Sequence, residues 1–79
     1  MDLKGKNILI TGASKGLGKA TAEMLIKAGA NVAITARSSE KLFQTAKEIG
    51  AFPIQGDVSI EADVDRIYAV FLAKFGRID

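Results

Sequence analysis

Thr11-Gly12-Ala13-Ser14-Lys15-Gly16-Leu17-Gly18 stands between a short apolar run and the first amphipathic segment of a 79-residue chain. The run before it, Asn7 to Thr11, reads as a strand whose Ile8-Leu9-Ile10 centre is continuously apolar, as expected of a strand covered on both faces. In the segment after it, Leu17, Ala20, Met24, Leu25 and Ala28 recur at helical spacing, with Lys19, Glu23 and Lys27 expected on the opposite side. A glycine-rich passage from buried strand to helix leaves free amides and the positive end of the helix dipole beside backbone that carries no Cβ. That combination is an anion site. In this reading Gly12 makes the turn, Gly16 lets the anion approach, and Gly18 packs helix close to strand. A turn with no ligand would use one or two glycines; this one has three in context.

The alternation continues along the chain. Gly29 ends the first helix and Val32 to Ala36 forms a second strand. The second helix is expected to begin near Ser38 or Ser39, whose hydroxyl can cap it, and to bury Leu42, Ala46 and Ile49. After Gly50, Ala51 to Gly56 reads as a third strand in which Pro53, lacking an amide donor, favours an edge. Ser59 is expected to cap the third helix, with Glu61 and Asp63 at its positive end and Val64, Ile67, Tyr68, Phe71 and Phe75 as its buried stripe. Tyr68 is read as a core residue, its hydroxyl near the surface. Gly76 closes that helix. The fold class expected is α/β: residues 1–79 as one Rossmann-type βαβαβα half-domain of three layers. Its parallel sheet has strand order 3-2-1, and the fourth strand that the rhythm calls for after Asp79 is missing.

Composition bounds the function. The chain is 48% hydrophobic and 25% charged, the balance of a packed globular domain. A net charge of +2, with lysines dispersed singly, gives no footprint for nucleic acid. Cysteine and histidine are both absent, so disulfides and thiolate or imidazole metal sites are excluded. No segment approaches the length of a membrane span and the N-terminus has no apolar leader, so a cytoplasmic protein without a membrane partner is expected.

Two familiar phosphate motifs do not fit the loop. A P-loop needs glycine where Ala13 stands and serine or threonine where Ala20 stands. The G-x-G-x-x-G pattern fails at Thr21. The spacing present is T-G-x-x-x-G-x-G, and with it the chain resembles the short-chain dehydrogenase/reductase family, notably its 3-oxoacyl-acyl carrier protein reductase type. The resemblance extends through Gly29-Ala30-Asn31-Val32, Ala36-Arg37-Ser38, Gly56-Asp57-Val58-Ser59 and Phe75-Gly76-Arg77-Ile78-Asp79. It implies that Gly12, Ser14, Gly16, Leu17 and Gly18 line the phosphates and adjoining ribose, and that Asp57 and Val58 hold the adenine. Asp57 equally suits a turn or cap beside Ser59.

The end of the second strand bears on the cofactor. An NAD site presents an acidic residue about 20 residues beyond the glycine loop to bond the ribose 2′-hydroxyl. Here Ala36, Arg37 and Ser38 follow instead, and Lys15 adds a second cation, a pair suited to a 2′-phosphate and hence to NADP(H). Either residue read alone is an ordinary surface cation. Lys4, Lys6, Lys27, Lys41 and Lys47 are read as solvent-facing charges.

The resemblance implies hydride transfer between a nicotinamide cofactor and a carbonyl or alcohol, performed by a tyrosine, lysine, serine and asparagine that all lie downstream of Asp79. Leu72, not lysine, stands four residues after the sole tyrosine, Tyr68, so no catalytic residue is assigned within the chain. The alternatives are a stand-alone dinucleotide-binding module and a structural domain that has lost its ligand. The exposed first strand implies a homo-oligomer, formed through that strand or through the missing half.

Overall fold

The computed structural model describes residues 3–12 and 16–79. Six elements alternate: β1 (Asn7–Thr11), α1 (Gly16–Lys27), β2 (Asn31–Ala36), α2 (Ser39–Ile49), β3 (Phe52–Gln55) and α3 (Glu61–Phe75). The strands form one parallel sheet in the order β1-β2-β3, with Ile8 beside Val32 and Ile34 beside Pro53. Pro53 thus sits on an edge strand, where its missing amide costs no ladder bond.

Alternation along the strands divides the core into two layers. Val32 and Ile34 of β2 turn to one face, where they pack with Ala22 of α1 and with Leu42, Ala46 and Ile49 of α2. Ala33 turns to the other, with Ile54 and with Ile67 and Phe71 of α3. The continuous apolar runs follow from this: a central strand covered on both sides has no polar face.

Two expected helix faces are corrected. At about 100° per residue, Leu17, Ala20 and Met24 fall opposite Ala22 on α1, so only one of the two groups can face the sheet. Ala22 does, with Leu25 and Ile26, while Leu17 is 83% and Met24 62% exposed. Lys19 lies toward α2, its Nζ 2.7 Å from Glu48 Oε2. On α3, Ile67 and Phe71 are buried, but Tyr68 is 46% exposed and is not a core residue. The stripe that docks is the one centred on Phe71, whose ring packs tilted against Phe75 at 4.9 Å; Phe75 in turn meets Phe52 edge-on at 6.0 Å.

Helix entry also differs from expectation. Ser38 occupies the cap position of α2, but its hydroxyl makes no capping bond. The cap position of α3 belongs to Ile60, not Ser59. Ser59 instead donates its amide and hydroxyl to Asp57 Oδ1, at 2.9 and 2.7 Å, and Asp63 in the first turn of α3 reaches back to accept the Asp57 amide. These bonds fix the turn before α3 and leave its first turn without a side-chain cap.

The beginning of β1 is tied to the residues after α3. Asp79 donates its amide to the Asn7 carbonyl at 2.7 Å and accepts the Asn7 amide on Oδ2 at 2.9 Å, while Asn7 Nδ2 reaches the carbonyls of Phe75 and Arg77. The Asn7 bond, aided by Arg77 and Lys6, lowers the Asp79 pKa below its ordinary value of 3.8. A folded-state value below the unfolded one gives a stabilisation that is complete above the ordinary value and lost as pH falls through the lowered one. Asp79→Asn is therefore expected to be less stable than the parent near neutrality, with the gap closing below about pH 4, as read from urea midpoints across that range. A constant gap down to about pH 2 would show that the carboxylate charge contributes nothing there.

Candidate functional site

A cleft of about 470 Å³ opens at the C-terminal ends of the strands, lined by Gly12, Thr35, Ala36, Arg37, Ser38, Lys41, Gly56, Asp57 and Val58. This is the end at which open α/β sheets bind ligands. A smaller hollow of about 280 Å³ lies at the other end, against Asn31 and Phe52 at the starts of their strands.

Each wall is placed by local chemistry. Gly12 leaves β1 with φ 68°, its amide bonded to the Thr35 carbonyl at 2.8 Å, so the backbone turns off the sheet in a conformation that a side chain disfavours. Gly16 opens α1 with φ 65°, and a β-carbon at either glycine would project into open space. Arg37 leaves β2 exposed; Gln55 Nε2 holds its carbonyl at 3.0 Å, and Arg66 of α3 donates to the Gln55 carbonyl. That chain of bonds joins the β2 exit to β3 and α3. Gly56 permits the approach on the remaining side, since a Cβ there would stand 2.6 Å from Ile67 Cδ1.

The cleft has a defined polarity. Arg37 and Lys41 supply positive charge, and neither forms an ion pair among the described residues. Asp57 is held below the ordinary carboxylate range, mainly by the Ser59 hydroxyl and amide and to a lesser degree by Arg37, so it is an anion throughout the neutral range. Val58, 53% exposed, adds an apolar surface at the rim. Thr35 is 1% exposed, and its Oγ1 has no hydrogen-bond partner among the described residues.

Of the residues expected from sequence, the structure brings Gly12, Arg37, Ser38, Asp57 and Val58 together around the cleft. Gly16, Leu17 and Gly18 form the first turn of α1 and do not line it. Ser14 and Lys15 lie outside the described residues. The turn role foreseen for Asp57 is real, since it receives both Ser59 bonds, and it lines the cleft as well.

Sequence reading did not single out Thr35, and Lys41, expected to face solvent and found exposed, also lines the cleft. Threonine in an apolar strand gives no warning that its hydroxyl lacks a partner. Lys41 does carry a signal: a helical Cβ tilts toward the N-terminus, so a lysine in the first turn reaches back over the preceding loop. No group of acidic residues arranged for a metal occurs among the described residues, and no helix there is long and apolar enough to cross a membrane.

The parallel sheet, crossover helices and cleft define the mononucleotide-binding half of an open α/β fold. Residues 6–79 match the short chain dehydrogenase family, and the chain belongs to it; this is an oxidoreductase family that binds a nicotinamide cofactor. The chain is 44% identical over its whole length to the sorbitol dehydrogenase of Cereibacter sphaeroides, of which it spans 32%. It is 40% identical to the glucose 1-dehydrogenase of Gluconobacter oxydans, with 95% of this chain and 30% of that protein covered. Among solved structures, the 3-ketoacyl-(acyl-carrier-protein) reductase of Brucella melitensis complexed with NADH is similar, at TM-score 0.94 and 41% identity. That match covers 99% of this chain and 33% of the reductase. The chain thus spans about a third of the length of these relatives.

Proposed function

We propose that residues 1–79 are the cofactor-binding half of an NADP(H)-dependent oxidoreductase that transfers hydride between the nicotinamide and a carbonyl or alcohol. The observation that carries this reading is Arg37 at the exit of β2, unpaired by any carboxylate among the described residues, on the cleft wall where an NAD site would present an acid. A guanidinium there grips a phosphate through two parallel hydrogen bonds.

The remaining residues fit the rest of a dinucleotide. The loop from Gly12 through Ser14, Lys15 and Gly16 to Leu17 and Gly18 binds the pyrophosphate against the amides that open α1. Ser38 and Arg37 take the ribose side. Asp57 accepts from the adenine amino group while Val58 covers the ring. The nicotinamide ring supplies the hydride acceptor or donor when bound, and the residues of this chain hold and orient its adenosine end. Tyr68 lies outside the cleft lining, which accords with acid/base groups contributed from beyond these residues.

A binding module without catalysis is the second reading: among the described residues that line the cleft there is no tyrosine, and Lys41 is the one lysine. Self-association is part of the first reading. In the parallel ladder the backbone groups of Leu9 and Thr11 point away from β2, and such an edge invites pairing with a further strand. A cytoplasmic location accords with the cofactor.

Titration calorimetry with NADPH and NADH tests the cofactor assignment. NADPH is expected to bind about 10- to 100-fold tighter, the worth of one charge-assisted bidentate contact. Equal affinities, or tighter binding of NADH, would overturn it.

A further inference from the structure

We propose that Ser59 is a positioning residue for the base of the cofactor: it holds one carboxylate oxygen of Asp57 and so leaves the other to the cleft as an acceptor. The site then takes a purine with an exocyclic amino group and disfavours one with a carbonyl in that place. This rests on the adenine reading of Asp57 above and adds to it the group that makes that contact selective.

The geometry is a two-point hold on a single atom. Ser59 donates its backbone amide, at 2.9 Å, and its hydroxyl, at 2.7 Å, to Asp57 Oδ1. The last torsion of an aspartate is broad, so one donor alone lets the carboxylate swing, and the second narrows that swing. Asp57 Oδ2 has no partner among the described residues, and Asp57 stands part-buried on the cleft wall beside Val58. Ser59 is exposed and does not line the cleft. It acts on a ligand through Asp57.

The backbone beneath Asp57 is fixed by other residues. Asp63 Oδ2 accepts the Asp57 amide at 2.9 Å, and Arg66, 3.8 Å from Asp63 Oδ1, donates to the Gln55 carbonyl two residues earlier. Gly56 between them is buried against Ile67, where a Cβ would stand at 2.6 Å. With the peptide pinned to α3 in this way, the direction of the Asp57 side chain is what remains to be set. Ser59 sets it.

The charge of Asp57 gives the contact its sense. The two Ser59 bonds are the main cause of its lowered pKa, and an ionised carboxylate accepts but cannot donate. Opposite it, a purine amino group is a matched donor, whereas a carbonyl oxygen sets lone pairs against lone pairs. A site that hydrogen-bonds a donor rejects the analogue that lacks it.

The test is calorimetry on the full chain and its Ser59→Ala, Ser59→Val and Ser59→Thr variants, with NADPH and with its hypoxanthine analogue, in which a carbonyl replaces the adenine amino group. The parent is expected to prefer NADPH. Ser59→Ala and Ser59→Val are expected to lower that preference about tenfold, and Ser59→Thr, which keeps a hydroxyl, to retain it. Valine and threonine have nearly the same shape, so a loss in one and not the other comes from the hydroxyl and not from the turn. Circular dichroism confirms that each variant is folded, which the exposure of this side chain favours. A parent that prefers NADPH over the analogue, with the preference unchanged in Ser59→Ala and Ser59→Val, overturns the role of Ser59 and leaves Asp57 standing as the adenine acceptor. A parent that does not distinguish the two bases overturns both.

Discussion

An Arg37→Asp variant is expected to lose its preference for NADPH and to bind NADH the more tightly. The parent side chain offers two charge-assisted bonds to a 2′-phosphate, worth about 1.5–3 kcal/mol. Aspartate removes them, adds repulsion against the phosphate, and supplies a carboxylate that can accept the 2′-hydroxyl of NADH. Together these amount to about 3 kcal/mol or more, a change of at least roughly a hundredfold in the affinity ratio. Arg37 is exposed, so the effect weakens as salt is raised and its full size is read at low ionic strength. Gln55 holds the backbone carbonyl of Arg37 and not its side chain, so the turn keeps its shape in the variant. A variant whose NADPH-to-NADH ratio matches the parent would remove Arg37 from the site.

The second large effect concerns the fold itself. Phe71→Ala is expected to destabilise the chain by about 3–5 kcal/mol, measured from urea unfolding with the slope unchanged. Phe71 is fully buried between the sheet and α3, and its ring supports Phe75, which in turn supports Phe52. Domains of this size have about 4–12 kcal/mol in all, so much of the margin disappears. Phe71→Leu, which keeps most of the volume, is expected to cost less than the alanine change. Tyr68→Ala, three residues away on the exposed side of the same helix, is the matched control and is expected to cost under about 1 kcal/mol. Similar losses at Phe71 and Tyr68 would mean that α3 docks by a different face.

The element pattern was legible because it is carried by near neighbours. Ile8-Leu9-Ile10 and Val32 to Ala36 are apolar without interruption, and the glycines at 12, 29, 50 and 76 stand at the ends of elements where the backbone takes positive φ. β1 was placed from Asn7 to Thr11, as found, while the third strand proved shorter than Ala51 to Gly56, running Phe52–Gln55. The site was legible where its residues sit at strand ends: Gly12, Arg37, Ser38, Asp57 and Val58 each follow a strand, and a parallel sheet brings those ends together.

What failed to show were choices between equivalent local options. Leu17, Ala20 and Met24 make as good an apolar stripe as Ala22, Leu25 and Ile26, and Ser59 is as good a capping residue as any. The sequence by itself determined the order of strands and helices, the glycine-rich turn after β1 and the positive charge after β2, because each rests on spacing within a few residues. Only the tertiary structure decided that Ala22 and not Met24 meets the sheet, that Tyr68 stays outside, that Ile60 and not Ser59 takes the cap position of α3, and that Thr35 and Lys41 join the cleft. Each of those depends on which surface a neighbouring element presents, and that surface is made by residues far away along the chain.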